Sequence, residues 1–179
     1  MDILLGGILL ICMAPLICLM AAAIRLSSKG QAFFKQQRIG RYNIPFEVYK
    51  FRTMTVESPT FGLKPTSFND ERVTRLGRFL RQTSLDELPQ LLNVLKGDMS
   101  LVGPRPEQPF LVARYEFWQK ERLDVLPGLT GWWQINGRKQ PMHEYVEEDI
   151  YYVRNRSLTL DIRILFGTLR VVLSQNGAI

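Results

Sequence analysis

The stretch SLDELPQ, residues 84–90, sets two carboxylates side by side, Asp86 and Glu87. Paired acids of this kind either cap a helix or carry chemistry. Ser84 and Glu87 have capping-box spacing, and acidic groups favour the positive first turn of a helix. Pro89 weakens that assignment. With Ser84 as N-cap the proline falls where a helical donor is needed, whereas a start at Leu85 or Asp86 leaves it in the tolerant first turn. In GPRPE, Arg105 stands between Pro104 and Pro106, which hold the neighbouring backbone extended and present the guanidinium with little flexibility. Such an arginine suits a phosphate, to which it can donate two parallel hydrogen bonds. Arg81 lies next to the carboxylates in sequence, and Arg138 follows a glycine turn.

The elements that must position these groups are legible in outline. AFFKQQRIGRYNIPFEVYKFRTM alternates apolar and polar residues around a turn at Gly40 to Asn43, which predicts a hairpin whose second strand carries Lys50 and Arg52 on one side. SPTFGLKPTS, residues 58–67, is a loop long enough to shape a substrate pocket. NDERVTRLGRFLRQ predicts a helix capped by Asn69 or Asp70, with Val73, Leu76 and Leu80 on its apolar face. Arg72, Arg75, Arg78 and Arg81 recur on its other side, a pattern that a solvated face or acidic lipid headgroups would explain, Arg81 excepted. Leu85, Leu88, Leu91, Leu92 and Leu95 predict an amphipathic helix stopped at Gly97. FLVARYEFWQKERLDVL reads as one helix closed by Pro127-Gly128, and HEYVEEDIYYVRN and LTLDIRILFGTLRVVLSQ as two more. The last carries Asp161, Arg163 and Arg170, so it packs or lies on a membrane surface and does not span. Trp132 and Trp133 suit a core, an interface or a stacking platform, the core being the commonest role.

The chain has 179 residues, 46% of them hydrophobic, enough for one globular unit with its own core. A net charge of +6 favours anionic partners, whether phosphates, lipid headgroups or nucleic acid. The apolar amino terminus and the lack of a recognition module oppose nucleic acid. Cys12 and Cys18 lie in an apolar run and form neither a disulfide framework nor a paired metal motif. With His143 the single histidine, zinc and Ser/His chemistry have little to draw on, and a metal would need oxygen ligands, which suits magnesium. There is no P-loop and no GxGxxG, so phosphate binding must use another device.

From Ile3 to Ile24 no side chain is charged, and 22 helical residues extend roughly 33 Å, about the thickness of a hydrocarbon core. A cleaved leader fits poorly, because no basic segment precedes the run. Arg25, Lys29, Lys35, Arg38 and Arg41 follow before the first acid at Glu47, which places the remaining chain in the cytoplasm. Pro15 removes a backbone donor mid-run and predicts a kink. Bent sharply, the segment enters and leaves one leaflet; nearly straight, it spans.

YKFRTM, RVTRLGRFLRQTSLDELPQLLNVLKGDMSLVGPRPE, PGLTGWWQINGR and SLTLDIRIL, in that order, are similar to the bacterial sugar transferase family, the monotopic phosphoglycosyl transferases that start glycan assembly on a polyprenyl phosphate. The chain resembles their small members, a catalytic unit without the extra multi-helix membrane domain. The resemblance implies an α+β, membrane-anchored monotopic fold: a kinked re-entrant helix over 1–25, then a cytoplasmic catalytic domain over 26–179 with a small β-hairpin and several amphipathic helices. It implies location at the cytoplasmic face of the bacterial inner membrane, against anionic lipids. It also implies that Asp86 is the nucleophile that displaces UMP from a UDP-sugar to give a phosphosugar-aspartyl intermediate, with Glu87 completing the dyad. Undecaprenyl or another polyprenyl phosphate then takes the sugar phosphate, for exopolysaccharide, O-antigen or glycoprotein assembly. Mg²⁺ near Asp86 and Glu87, and phosphate binding by Lys50, Arg81, Arg105 and Arg138, follow from the same resemblance. The family breaks its membrane helix at a Ser-Pro pair; here the pair is Ala14-Pro15, and re-entry is the favoured form. Two other schemes fit the residues: direct attack by the lipid phosphate with the acids holding only magnesium, and a non-catalytic membrane-bound adaptor for glycan enzymes.

Overall fold

A computed structural model of the chain describes residues 2–59, 70–136 and 145–174, so Asn69, Arg138, His143 and most of loop 58–67 lie outside the described residues. Helix α1 (Asp2–Ser27) is followed by an antiparallel hairpin of β1 (Phe33–Ile39) and β2 (Pro45–Phe51). Helix α2 (Arg75–Gln82) leads into a 3-10 helix (Leu85–Gln90) and α3 (Leu91–Lys96). Strand β3 (Ser100–Val102) pairs in parallel with β4 (Gly128–Thr130) across α4 (Pro109–Val112) and a second 3-10 helix (Trp118–Leu123). Helices α5 (Trp132–Asn136), α6 (Glu147–Asn155) and α7 (Leu158–Ser174) complete the chain.

The hairpin forms where the alternation predicts it, with Phe34 opposite Lys50 and Ile39 opposite Pro45. Its inward residues join two cores. Val48 packs with Leu91, Val94, Met99, Leu101 and Ile164, whereas Phe51 packs with Leu80, Ile24 and Ala32. The outer edge of β2 is closed by a side chain: Asn93, fully buried, accepts from Tyr49 N at 3.1 Å and donates to Glu47 O at 2.7 Å. An edge strand's unpaired backbone groups are satisfied in this way without another strand. Asn93 thereby locks β2 to the helix that follows the carboxylate pair.

Three sequence expectations are corrected. The helix expected from Asn69 or Asp70 begins only at Arg75, because Thr74 is the true N-cap and accepts from Gly77 N at 2.9 Å. Asp70 instead takes up Arg72 in an ion pair, and Val73 pairs with Met54 in an isolated bridge. The long helix expected over 110–126 is two short pieces. Gln119 accepts from Glu116 N at 2.8 Å, and the Glu116 carboxylate accepts the Trp118 indole N–H; the amide that a continuous helix would have used for its own ladder is diverted to a side chain. The leucine-rich helix starts as a 3-10 turn through Pro89 and becomes α-helical only at Leu91. It stops at Gly97 as expected, with φ +81 that a side chain would resist.

Helix α1 continues through Ala14 and Pro15, so no interruption of helical backbone is seen there. Its 26 residues, about 39 Å long, lie along the globular part. At one end the Asp2 carboxylate accepts from Ser100 Oγ at 2.9 Å and Leu101 N at 3.3 Å. Near the other, Ile24 is buried against Phe51 and Leu80. The opposite side exposes Ile3, Leu4, Ile8, Ile11, Leu19 and Leu26. Helix α7 is amphipathic too, burying Ile164 and exposing Leu158, Ile162, Phe166 and Leu169. Trp133 is buried, and Trp132 rests on Tyr151, so the two tryptophans serve packing.

Candidate active site

Four segments converge on the carboxylate pair: the end of β2, the last turn of α2, the 3-10 helix Leu85–Gln90 and the loop between β3 and α4. The chain leaves β2 at Thr53, whose carbonyl accepts from Thr74 N at 3.0 Å. Gly77 packs so tightly on that carbonyl that a Cβ would lie 2.1 Å from the oxygen. With the start of α2 pinned there, Arg81 arrives over Thr53 and donates through Nε to its Oγ1 at 2.9 Å. Ser84 then adopts a left-handed conformation, φ 57 and ψ 15, and its side chain does not cap the helix that follows. The capping-box alternative is thereby removed: Ser84 turns the chain so that Asp86 and Glu87 leave α2 at a new angle.

The two acids have opposite environments. Glu87 accepts from Lys50 Nζ at 2.8 Å and from both terminal nitrogens of Arg105, Nη1 to Oε2 at 3.1 Å. Burial opposes its ionisation, but Arg105 and Lys50 hold it well below the usual carboxylate range. Asp86, among the described residues, accepts no hydrogen bond on its carboxylate. Burial and then the Glu87 charge push it up to about 6, against the pull of Lys50, Arg105 and Arg81. Two carboxylates thus face three cations. Burial lowers Lys50, Glu87 countering it, while Arg105, ion-paired to Glu87, is raised despite its burial. Neighbouring acids driven apart in this manner are a mark of divided chemical roles.

The Arg105 loop is tied down along its length. Gly128 N donates to Pro104 O at 2.8 Å and Ile39 N to Glu107 O at 2.9 Å. Arg38 is ion-paired with Glu107 at 3.0 Å, with side chains 7% and 3% exposed. This pair belongs to the scaffold, and no sequence spacing announces it.

Of the sequence-predicted residues, Asp86, Glu87, Lys50, Arg81 and Arg105 come together. Arg138 lies outside the described residues, and Ala14 and Pro15 lie within α1, away from the carboxylates in the chain. Arg52, one residue past β2, turns elsewhere and donates to Ser28 O at 3.0 Å, tying the end of α1 to the hairpin. Thr53 and Asn93 escaped sequence reasoning; the asparagine interrupts an apolar helical stripe, which was the available signal. Among the described residues there is no cluster of three or more His, Cys, Asp or Glu able to hold a metal. Asp86 alone offers uncommitted carboxylate oxygens, and both Glu87 oxygens are engaged by cations. A single carboxylate plus substrate phosphates is a donor set that suits Mg²⁺.

Residues 1–175 match the family described as Bacterial sugar transferase. The chain is 48% identical over 171 residues to the uncharacterized sugar transferase EpsL of Bacillus subtilis, covering 94% of this chain and 83% of that protein. It is 41% identical to a UDP-N-acetylgalactosamine-undecaprenyl-phosphate N-acetylgalactosaminephosphotransferase of Aeromonas hydrophila, covering 99% of this chain and 44% of the relative. It is 43% identical to the UDP-glucose:undecaprenyl-phosphate glucose-1-phosphate transferase of Escherichia coli, covering 94% and 38%. The chain therefore spans less than half the length of the last two.

Proposed function

The chain belongs to the bacterial sugar transferase family, and on that premise we propose that it moves a sugar-1-phosphate from a UDP-sugar to a polyprenyl phosphate such as undecaprenyl phosphate. The observation that carries the proposal is the division between two adjacent acids, Glu87 locked by Lys50 and Arg105, and Asp86 without a hydrogen bond amid three cations. A carboxylate raised to about 6 is still ionised at neutral pH, yet more basic than usual, which suits a nucleophile.

An oxygen of Asp86 attacks the β-phosphorus of the UDP-sugar. The bond from that phosphorus to the bridging oxygen breaks, and UMP leaves with the oxygen. An oxygen of the polyprenyl phosphate then attacks the same phosphorus, breaking its bond to Asp86 and restoring the carboxylate. Lys50, Arg81 and Arg105 supply preorganised positive charge to the phosphates in both steps. Mg²⁺, when bound, neutralises the diphosphate and the leaving UMP. Asp86 is the residue here that would hold it. The Aeromonas hydrophila and Escherichia coli relatives are named for the same undecaprenyl phosphate acceptor and for different donor sugars, which supports this acceptor and leaves the donor to experiment. The product would start a glycan such as an exopolysaccharide, O-antigen or glycoprotein chain.

The acceptor keeps its tail in lipid and the donor stays in water, so the nucleophile must work at the boundary. Attachment to one leaflet at the cytoplasmic face of the inner membrane is supported by α1, whose two ends rest on the same globular body. A spanning helix would carry one end to the far side. In this arrangement residues 26–179 form the catalytic domain, and Pro15, which leaves the α1 ladder one donor short, is where a bend back toward the same leaflet would cost least. A tag at the amino terminus is then reachable only from the cytoplasm; labelling from the periplasm would overturn this topology.

A panel of UDP-sugars with undecaprenyl phosphate, scored by UMP release, tests the reaction. With the donor so identified and the lipid withheld, intact mass spectrometry should show a phosphosugar adduct that is absent in Asp86→Asn. UMP release with lipid but no adduct without it would favour direct attack.

A further inference from the structure

Arg122 is 2% exposed, and its guanidinium reaches three parts of the chain at once. It donates to the Tyr115 hydroxyl at 2.6 Å, to Asp149 Oδ2 of α6 at 2.6 Å, and to the main-chain carbonyl of Arg105 at 2.6 Å. The side chains of Arg122 and Asp149 are 1% and 0% exposed, so the pair itself meets no ligand. A buried ion pair adds little to stability by itself, because desolvation offsets the attraction. The carbonyl contact is therefore the informative one.

An arginine's head is aimed by its Cα–Cβ bond, and that bond is set by the two peptide planes on either side. At residue 105 both are pinned. The preceding carbonyl, Pro104 O, is held by Gly128 N at 2.8 Å, and the following one by Arg122. The flanking prolines restrict the torsions between them. We propose that Arg122 is a positioning residue for diphosphate binding, acting on Arg105 through its backbone, with Asp149 holding the guanidinium in place. Arg122 touches no substrate; it fixes where the Arg105 guanidinium stands beside Glu87 and the donor phosphates. This inference rests on the proposed transferase function.

The test is a double-mutant cycle on the full chain in lipid nanodiscs, with UDP and Mg²⁺ as the probe and calorimetric Kd as the readout. Arg122→Lys keeps a charge for Asp149 but cannot reproduce the three-way contact. It should weaken UDP binding about tenfold in the wild-type background, the usual scale for loss of an orienting contact. In an Arg105→Ala background the same change should have less than about a twofold effect, because coupled residues are not additive. If Arg122→Lys does not fold, the triple change Arg122→Met, Asp149→Leu and Tyr115→Phe replaces the polar cluster with apolar groups, a substitution that buried ion pairs tolerate, and enters the same cycle. An equal loss in both backgrounds would show a general structural role and overturn the proposal, as would unchanged binding in a folded variant. Wild-type protein that binds no UDP would instead remove the transferase proposal and the Arg105 clamp together.

Discussion

Two of the buried ionic clusters among the described residues, Arg122–Asp149 and the one around Asp86 and Glu87, differ in charge balance and in exposure. In the Arg122–Asp149 cluster one cation meets one acid, both side chains are within 1% of full burial, and the terminal nitrogens of Arg122 also donate to the Tyr115 hydroxyl and the Arg105 carbonyl. Around Asp86 and Glu87 the cations outnumber the acids, and Lys50 and Arg105 side chains keep 18% and 16% exposure. A balanced, closed pair fixes the scaffold. An unbalanced, half-open one has charge left over for an anion. The contrast recurs within the dyad, where Glu87 is held by Lys50 and Arg105 and Asp86 accepts no hydrogen bond on its carboxylate among the described residues.

Asp86→Asn should break the open cluster most. Transfer to lipid should fall by at least about a thousandfold, as expected when a nucleophile is removed. Stability should move the other way. Folding raises the Asp86 pKa to about 6, so its contribution favours the folded state at low pH and is lost as pH rises through about 6. The variant should therefore melt higher than wild type at pH 8 and show no such gain at pH 4; a lower melting temperature at pH 8 would contradict this account of the site.

Glu87→Gln should affect stability where Asp86→Asn spares it. It strips Lys50 and Arg105 of their shared partner, and breaking a buried pair in this way costs about 3 kcal/mol. The lowered Glu87 pKa gives the sign: the stabilisation is present above the ordinary carboxylate pKa and lost as pH falls through the folded value. Chemical denaturation at pH 7 should show the full loss, and at acid pH the gap from wild type should close. The smallest effect is graded. In the wild type, kcat/KM should fall about tenfold per pH unit below about 6, where Asp86 takes up a proton. A flat profile down to pH 5 would show that its ionisation does not limit the reaction.

Much of this site was legible before any coordinates. The dyad, the proline-flanked Arg105 and the strand lysine are local patterns, and each of these residues came to the same place. The hairpin and α7 were legible for a related reason: their periodicity is carried by the residues themselves. Strands β3 and β4 were not, since three residues carry no period and their pairing joins Ser100 to Gly128 across the chain. The long helix expected over 110–126 failed because Gln119 captures an amide that periodicity alone assigns to the helix ladder.

Residue order by itself therefore picked out the paired acids, the proline-flanked Arg105 and the apolar segment that accompanies them. Tertiary structure decided which of the two acids the cations engage. Neither Asp86 nor Glu87 differs enough in its immediate sequence to be told apart. Burial raises both; Lys50, 37 residues away, and Arg105, 18 residues on, hydrogen-bond to Glu87 and not to Asp86, and so hold Glu87 low. Charge interactions in a half-buried cleft act over a few ångströms of space, and separation along the chain does not enter them.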